Sequence, residues 1–124
     1  MEAILVVLPD PDRLPSLLEA MKKAGVPGAT ILDSQGLEFL AWFGAHPAMG
    51  RFFSLEGGDR QTSKTILSIV PERIVDRVMS AIEQNLDGFK APNSGMVCSW
   101  KIGRFRCYAG DKPVLSEEGV HGVA

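Results

Sequence analysis

The residues best suited to chemistry are three cations near the C-terminus, Lys101, Arg104 and Arg106. If Gly103 turns a tight hairpin with Ile102, then Lys101 faces Arg104, Ser99 faces Arg106 and Cys98 faces Cys107. Strand alternation then puts Ser99, Lys101, Arg104 and Arg106 on one face, and Cys98, Trp100, Phe105 and Cys107 on the other. In a chain of formal net charge −2, three cations on one face form a candidate anion site. The 88–95 segment, glycine at both ends, precedes this strand and could supply backbone N–H donors to a phosphate. Lysine and arginine are also common on solvated edge strands, so the same face has an ordinary reading as solubilising charge.

Other chemistry has little to stand on. His46 and His121 are far apart in sequence, and neither has an acidic or cysteine partner at metal-ligand spacing. Glu117 and Glu118 sit in a polar tail outside any patterned element, and no glycine-rich stretch matches a nucleotide-binding fingerprint. An enzyme is therefore not expected, nor a bound metal, nor any tightly held cofactor. Cys98 and Cys107 could be bridged if they oppose each other, but two buried thiols are the expected state in a reducing cytoplasm.

A second functional candidate lies at 35–62. This stretch has no strand alternation, yet it holds Phe39, Phe43, Phe52, Phe53 and Trp42. Connections of this length are uncommon in compact domains unless they serve a function, and disordered segments are poor in aromatic residues. Phe39, Trp42, Phe43, Phe52 and Phe53 are thus candidate anchors for a protein partner; alternatively, Phe39, Leu40 and Phe43, which have helical spacing, form a short helix laid on the core or on a neighbouring subunit.

The elements that must position these groups follow from periodicity. Ala3 to Leu8 is a continuous apolar run, expected to be a strand buried on both faces, and the Pro9–Asp12 stretch ends it. Leu14, Leu17, Leu18 and Met21 recur at helical spacing, with the helix starting near Asp12 or Arg13 and stopping at Gly25. A weakly alternating run from Ala29 to Asp33 suggests a second strand. Ile66-Leu67-Ser68-Ile69-Val70-Pro71 then repeats the pattern of Ile4-Leu5-Val6-Val7-Leu8-Pro9, and a helical stripe of Ile74, Val75, Val78, Ile82 and Leu86 follows it. Met96 to Ile102 and Arg104 to Tyr108 are strand-like, and the tail from Gly110 is expected to be peripheral.

The order β-α-β, long loop, β-α-β and a short final strand predicts a single α+β domain over 1–124, a ferredoxin-like sandwich with both helices on one sheet face. The other face must then be covered, and self-association is the economical way. The acidic balance argues against nucleic acid, and no apolar run reaches the roughly 20 residues needed to cross a bilayer. A cytoplasmic protein is expected.

This pattern resembles the PII signal-transduction proteins and their PII-like relatives over roughly the first 110 residues. The resemblance rests on the β-α-β repeat, the Ile31-Leu32-Asp33-Ser34-Gln35-Gly36 exit into a long loop, the 88–95 loop and Arg104-Phe105-Arg106. It implies a homotrimer with sheets packed inward and an adenine nucleotide (ATP, ADP or AMP) bound between subunits. Carried over by position, the effector would touch Gly36, Leu37, Gly88, Gly95, Arg104 and Arg106, with Lys101 added from the cationic face. The long loop would dock on a transporter or an enzyme. Met96 stands where the family has a phosphate-binding lysine, and Tyr108 is the one tyrosine in the chain, so weaker nucleotide affinity and no uridylylated loop are expected. A CutA-like structural or metal-tolerance trimer, which shares the fold, is the alternative.

Overall fold

The computed structural model describes residues 1–37, 60–91, 94–109 and 112–114. It is an α+β arrangement: β1 (Glu2–Leu8), α1 (Leu14–Lys23), β2 (Thr30–Leu37), β3 (Arg60–Val70), α2 (Val75–Asn85) and β4 (Met96–Lys101), then β5 (Cys107–Ala109) and β6 (Lys112–Val114). The first four strands form one antiparallel sheet in the order β2-β3-β1-β4, and β5 and β6 form a separate two-stranded ladder. This order is compatible with a ferredoxin-like fold. The two repeated apolar runs become the two central strands and pair with each other, Val6 opposite Ile66 and Ile4 opposite Ser68.

Both helices pack on one sheet face. Ile4, Val6, Leu8, Ile66 and Val70 point toward Leu17, Met21, Ile74, Val78, Ile82 and Leu86, and all are buried in one cluster. Each such aliphatic side chain contributes about 1.5–3 kcal/mol on leaving water, so this cluster dominates stability. The helical stripes read from sequence are these residues, with Leu14 and Leu18 packed at the margin. The expectation that β1 is buried on both faces is corrected: Leu5 and Val7, on the other side, are only partly buried. Neither helix covers that side.

The start of α1 is chemically specified. Asp10 accepts the Asp12 N–H at 3.0 Å and Pro11 opens the Pro11–Arg13 turn, which leads into α1 with Pro15 in its first turn. The helix ends are tied crosswise. Arg77, on α2, donates to the Ala24 carbonyl past the end of α1 at 3.0 Å, and Arg13, before α1, donates to the Asn85 carbonyl at the end of α2 at 3.0 Å. Antiparallel helices thereby satisfy each other's orphan carbonyls.

Three boundaries differ from expectation. β2 runs on to Leu37 and β3 starts at Arg60, so 35–37 and 60–62 belong to a ladder in which Gln35 faces Thr62 and Leu37 faces Arg60. Polar side chains hid this, because a ladder needs only backbone partners. The strand expected from Arg104 to Tyr108 is instead Cys107–Ala109, and its partner Lys112–Val114 lies in the tail expected to be peripheral. The hairpin between β4 and the following strand is absent: β4 pairs with β1 and β5 with β6. A two-residue turn there would need φ > 0 at Ile102 and Gly103, which a β-branched residue resists, and neither is among the positive-φ residues.

Ser68 interrupts the apolar stripe on β3. Its Oγ is buried and has no hydrogen-bond partner among the described residues. An unsatisfied buried hydroxyl costs about 1–3 kcal/mol. Ser68→Ala is therefore expected to stabilise the protein by about 1 kcal/mol, read as a raised denaturation midpoint at unchanged m-value. A lowered midpoint would show that the hydroxyl has a partner.

Candidate functional site

The sheet places the sequence candidates at its two ends. β2 ends and β3 and β4 begin at the end that holds Leu8, because Leu8 faces Lys64 and Val7 faces Met96. Gly36 and Leu37 lie at this end, paired with Gln61 and Arg60. Gly95 lies there too, just before β4, with φ 130° and its backbone against Val7 and Pro9. The Asp87–Phe89 turn follows α2 at the same end.

That turn is unusual in its backbone. Asp87, Gly88 and Phe89 have φ of 57°, 70° and 57°, three left-handed residues in succession. Left-handed backbone costs an L-residue roughly 1–2 kcal/mol, least for Asp and little for Gly, so Phe89 needs compensation. It comes from the Phe89 N–H donating to the Leu86 carbonyl at 3.1 Å and from the Phe89 ring packing against the core. Arg13 adds an ion pair to Asp87 at 2.8 Å.

Lys101 sits at the opposite end. Lys101 faces Glu2, and the Ile102 N–H donates to the Met1 carbonyl at 3.3 Å. From Lys101 to Met96 the strand rises five steps, roughly 17 Å. Gly36, Leu37, Gly88 and Gly95 are thus separated by the length of the sheet from Lys101. Arg104 and Arg106 are exposed and lie in the segment between β4 and β5. Lys101 pairs with Glu72, 3.4 Å away before α2. Both side chains are well exposed, so the pair adds at most about 1 kcal/mol. The single cationic face drawn from a hairpin does not form, and Cys98 and Cys107, both free thiols, do not face each other across a ladder.

At the end where β2 stops and β3 starts, a cleft of about 740 Å³ is lined by Pro11, Asp33, Ser34, Gln35, Thr62, Ser63 and Lys64. Asp33, Gln35, Thr62 and Lys64 share the helix-side face, and Lys64 and Asp33 form an ion pair across the β2–β3 ladder. On the reverse face Ser34 Oγ meets Ser63 Oγ at 2.7 Å and Thr65 Oγ1 at 2.8 Å, and donates to the Ser63 carbonyl at 3.2 Å. One hydroxyl has one proton, so with Ser34 donating to the carbonyl, the other two hydroxyls donate to Ser34. Ser63 and Thr65 then offer only lone pairs to a visitor.

Among the described residues, most of the large apolar side chains left exposed lie on the reverse sheet face. Leu32, Met96 and Trp100 are 50%, 50% and 45% exposed, and they flank partly buried Leu5, Val7, Leu67 and Ile69. Among the described residues no three His, Cys, Asp or Glu side chains gather to hold a metal ion, and no helix is long and apolar enough to cross a membrane. Phe39, Trp42, Phe43, Phe52 and Phe53, like His46 and His121, lie outside the described residues.

Sequence reasoning missed Arg13, Asp87 and the Ser34–Ser63–Thr65 hydroxyls. A contact between Arg13 and Asp87 leaves no periodic trace, since the partners belong to different halves of the repeat. The alternation of Ser63 and Thr65 opposite Ser34 was the available signal for the hydroxyls. Comparison with protein-family models and with curated proteins finds no match to this chain.

Proposed function

We propose that this chain is a non-enzymatic, PII-like regulatory protein that works as a homotrimer of ferredoxin-like domains. An anionic effector, an adenine nucleotide, binds between subunits, and the long 38–59 connection docks on a partner protein. The observation that supports this best is the division of the candidate site. Glycine-rich backbone and the loop base lie at one end of the sheet and Lys101 at the other, roughly 17 Å away, with the exposed Arg104 and Arg106 following Lys101 in the chain. One copy cannot close both halves around one small ligand, whereas a neighbouring copy can bring its cationic end to the first copy's loop base. The apolar reverse face supplies the surface for that association. A regulator further requires that effector and partner bias the same loop equilibrium, which a ligand touching the base of that loop can do.

The test is a melting-temperature screen with ATP, ADP and AMP, since a ligand that binds the native state raises its stability by mass action. The unmodified protein is expected to shift upward with at least one of them. The double variant Arg104→Ala with Arg106→Ala should keep its assembly and lose the shift. Each charge-assisted contact is worth about 1.5–3 kcal/mol, so affinity should fall at least about a hundredfold. No shift for the unmodified protein with any adenine nucleotide would sink the effector reading, and an intact trimer under those conditions would favour the structural alternative.

A further inference from the structure

The left-handed Asp87–Phe89 turn is anchored at Phe89 by its own contacts, and the structure assigns the hold at its Asp87 end to Arg13. Its Nη1 donates to the Asn85 carbonyl at 3.0 Å and its Nη2 to the Asp87 carboxylate at 2.8 Å. A single planar guanidinium thus spans the last residue of α2 and the first left-handed residue after it. A lysine cannot do this, because it presents one point charge rather than a fork. Arg13 is itself fixed. Its N–H donates to the Asp10 carbonyl at 3.1 Å, and it closes the turn that Pro11 opens.

The same short segment reaches both parts of the loop-end site. Pro11 lines the cleft at the base of the long loop. Pro9 lies beside Gly95, where an added Cβ would meet its Cδ at 3.4 Å. Arg13 holds the start of the 87–95 connection while Pro9 abuts its end. We propose that Arg13 is the positioning residue of this end of the molecule: it sets the conformation of the 87–91 turn without needing to touch ligand. Its relevance to effector binding rests on the reading above; its effect on the turn does not.

Arg77 provides an internal control. It makes the equivalent bond at the other pair of helix ends, to the Ala24 carbonyl at 3.0 Å, where the one positive-φ residue that follows is Gly25 rather than a run of three. If Arg13 were only a helix cap, the two arginines would behave alike.

The experiment is amide hydrogen exchange on the full, ligand-free chain, comparing Arg13→Ala, Arg13→Lys, Asp87→Ala and Arg77→Ala with the unmodified protein. In Arg13→Ala the amides of 87–91 and Gly95 should exchange about fivefold faster, the scale of one lost capping interaction, while those of Val78 and Ile82 keep their rates. Asp87→Ala should reproduce part of this and add little when combined with Arg13→Ala. Arg13→Lys should fall between, and Arg77→Ala should leave 87–95 unchanged. The assignment is overturned if Arg13→Ala leaves those amides at the unmodified rate, or speeds all amides alike, as a global loss of stability would. A parallel ATP melting curve separates the two ideas. If ATP shifts the unmodified protein, Arg13→Ala should reduce the shift with Arg104 and Arg106 intact, and an undiminished shift counts against its positioning role. If ATP shifts nothing, the effector reading fails and exchange alone decides the role of Arg13.

Discussion

Replacing Gly95 by alanine is expected to destabilise the protein by about 2–4 kcal/mol, more than any exposed-surface substitution. Two costs coincide there. Gly95 has φ 130°, outside what L-residues with a side chain adopt comfortably. A Cβ at that position would also stand 2.5 Å from the carbonyl oxygen of Val7. Val7 is in the middle strand of three, paired to Thr65 on one side and Met96 on the other, so its carbonyl cannot move without breaking a ladder. Pro9 and Leu86 close the remaining directions at 3.4 and 3.5 Å. Gly25 makes the useful contrast, because its nearest obstacle is the Arg77 guanidinium at 3.2 Å, the end of a side chain that can swing away. Gly103 has nothing within 4 Å and no positive φ, so Gly103→Ala should change stability by less than about 0.5 kcal/mol. Chemical denaturation of the three variants checks the order Gly95, Gly25, Gly103. A Gly95→Ala cost under about 1 kcal/mol would mean that the approach of the 88–95 loop to β1 is looser than described.

The sequence made the helices legible because burial and period coincide there. Leu17, Met21, Val78 and Ile82 repeat at 3.6 residues and are all fully or almost fully buried. The central strands were legible for the same reason, through the Ile4 and Ile66 repeats. Strand extent was not. Ser34, Gln35, Thr62 and Ser63 carry no apolar alternation, although their backbones continue the β2–β3 ladder. The cationic face was misread because alternation cannot tell a hairpin from a strand that bends at Gly103 and goes elsewhere. Neighbours in sequence suggested neighbours in space, whereas β4 separates Gly95 and Lys101 to opposite ends of the sheet. Arg13 and Asp87 were invisible for a different reason: one ion pair between residues far apart in the chain leaves no period for pattern reading to find.

A single charge placed at the centre of the reverse sheet face should convert a trimer into monomers. Leu67 lies on β3, opposite Leu5 on β1 and Thr30 on β2, so any copy that covers this face must cover Leu67. In a lone chain it is only partly buried, with both helices on the far side. Leu67→Lys in a monomer would leave the ammonium free to reach water along its flexible stem, costing about 1 kcal/mol or less. In a packed trimer the same ammonium would be buried three times without a partner, at several kcal/mol for each. That penalty exceeds what a modest apolar interface supplies, so assembly should fail while the fold persists. Sedimentation equilibrium at micromolar concentration is expected to give three times the 13.4 kDa chain mass for the unmodified protein and one chain mass for Leu67→Lys. Circular dichroism should show the secondary structure unchanged in the variant. An unmodified protein that sediments as one chain rules out the trimer, and with it an effector site closed by a neighbouring copy. A variant that remains trimeric would place the interface on another surface and leave the exposed Leu32, Met96 and Trp100 to a different partner.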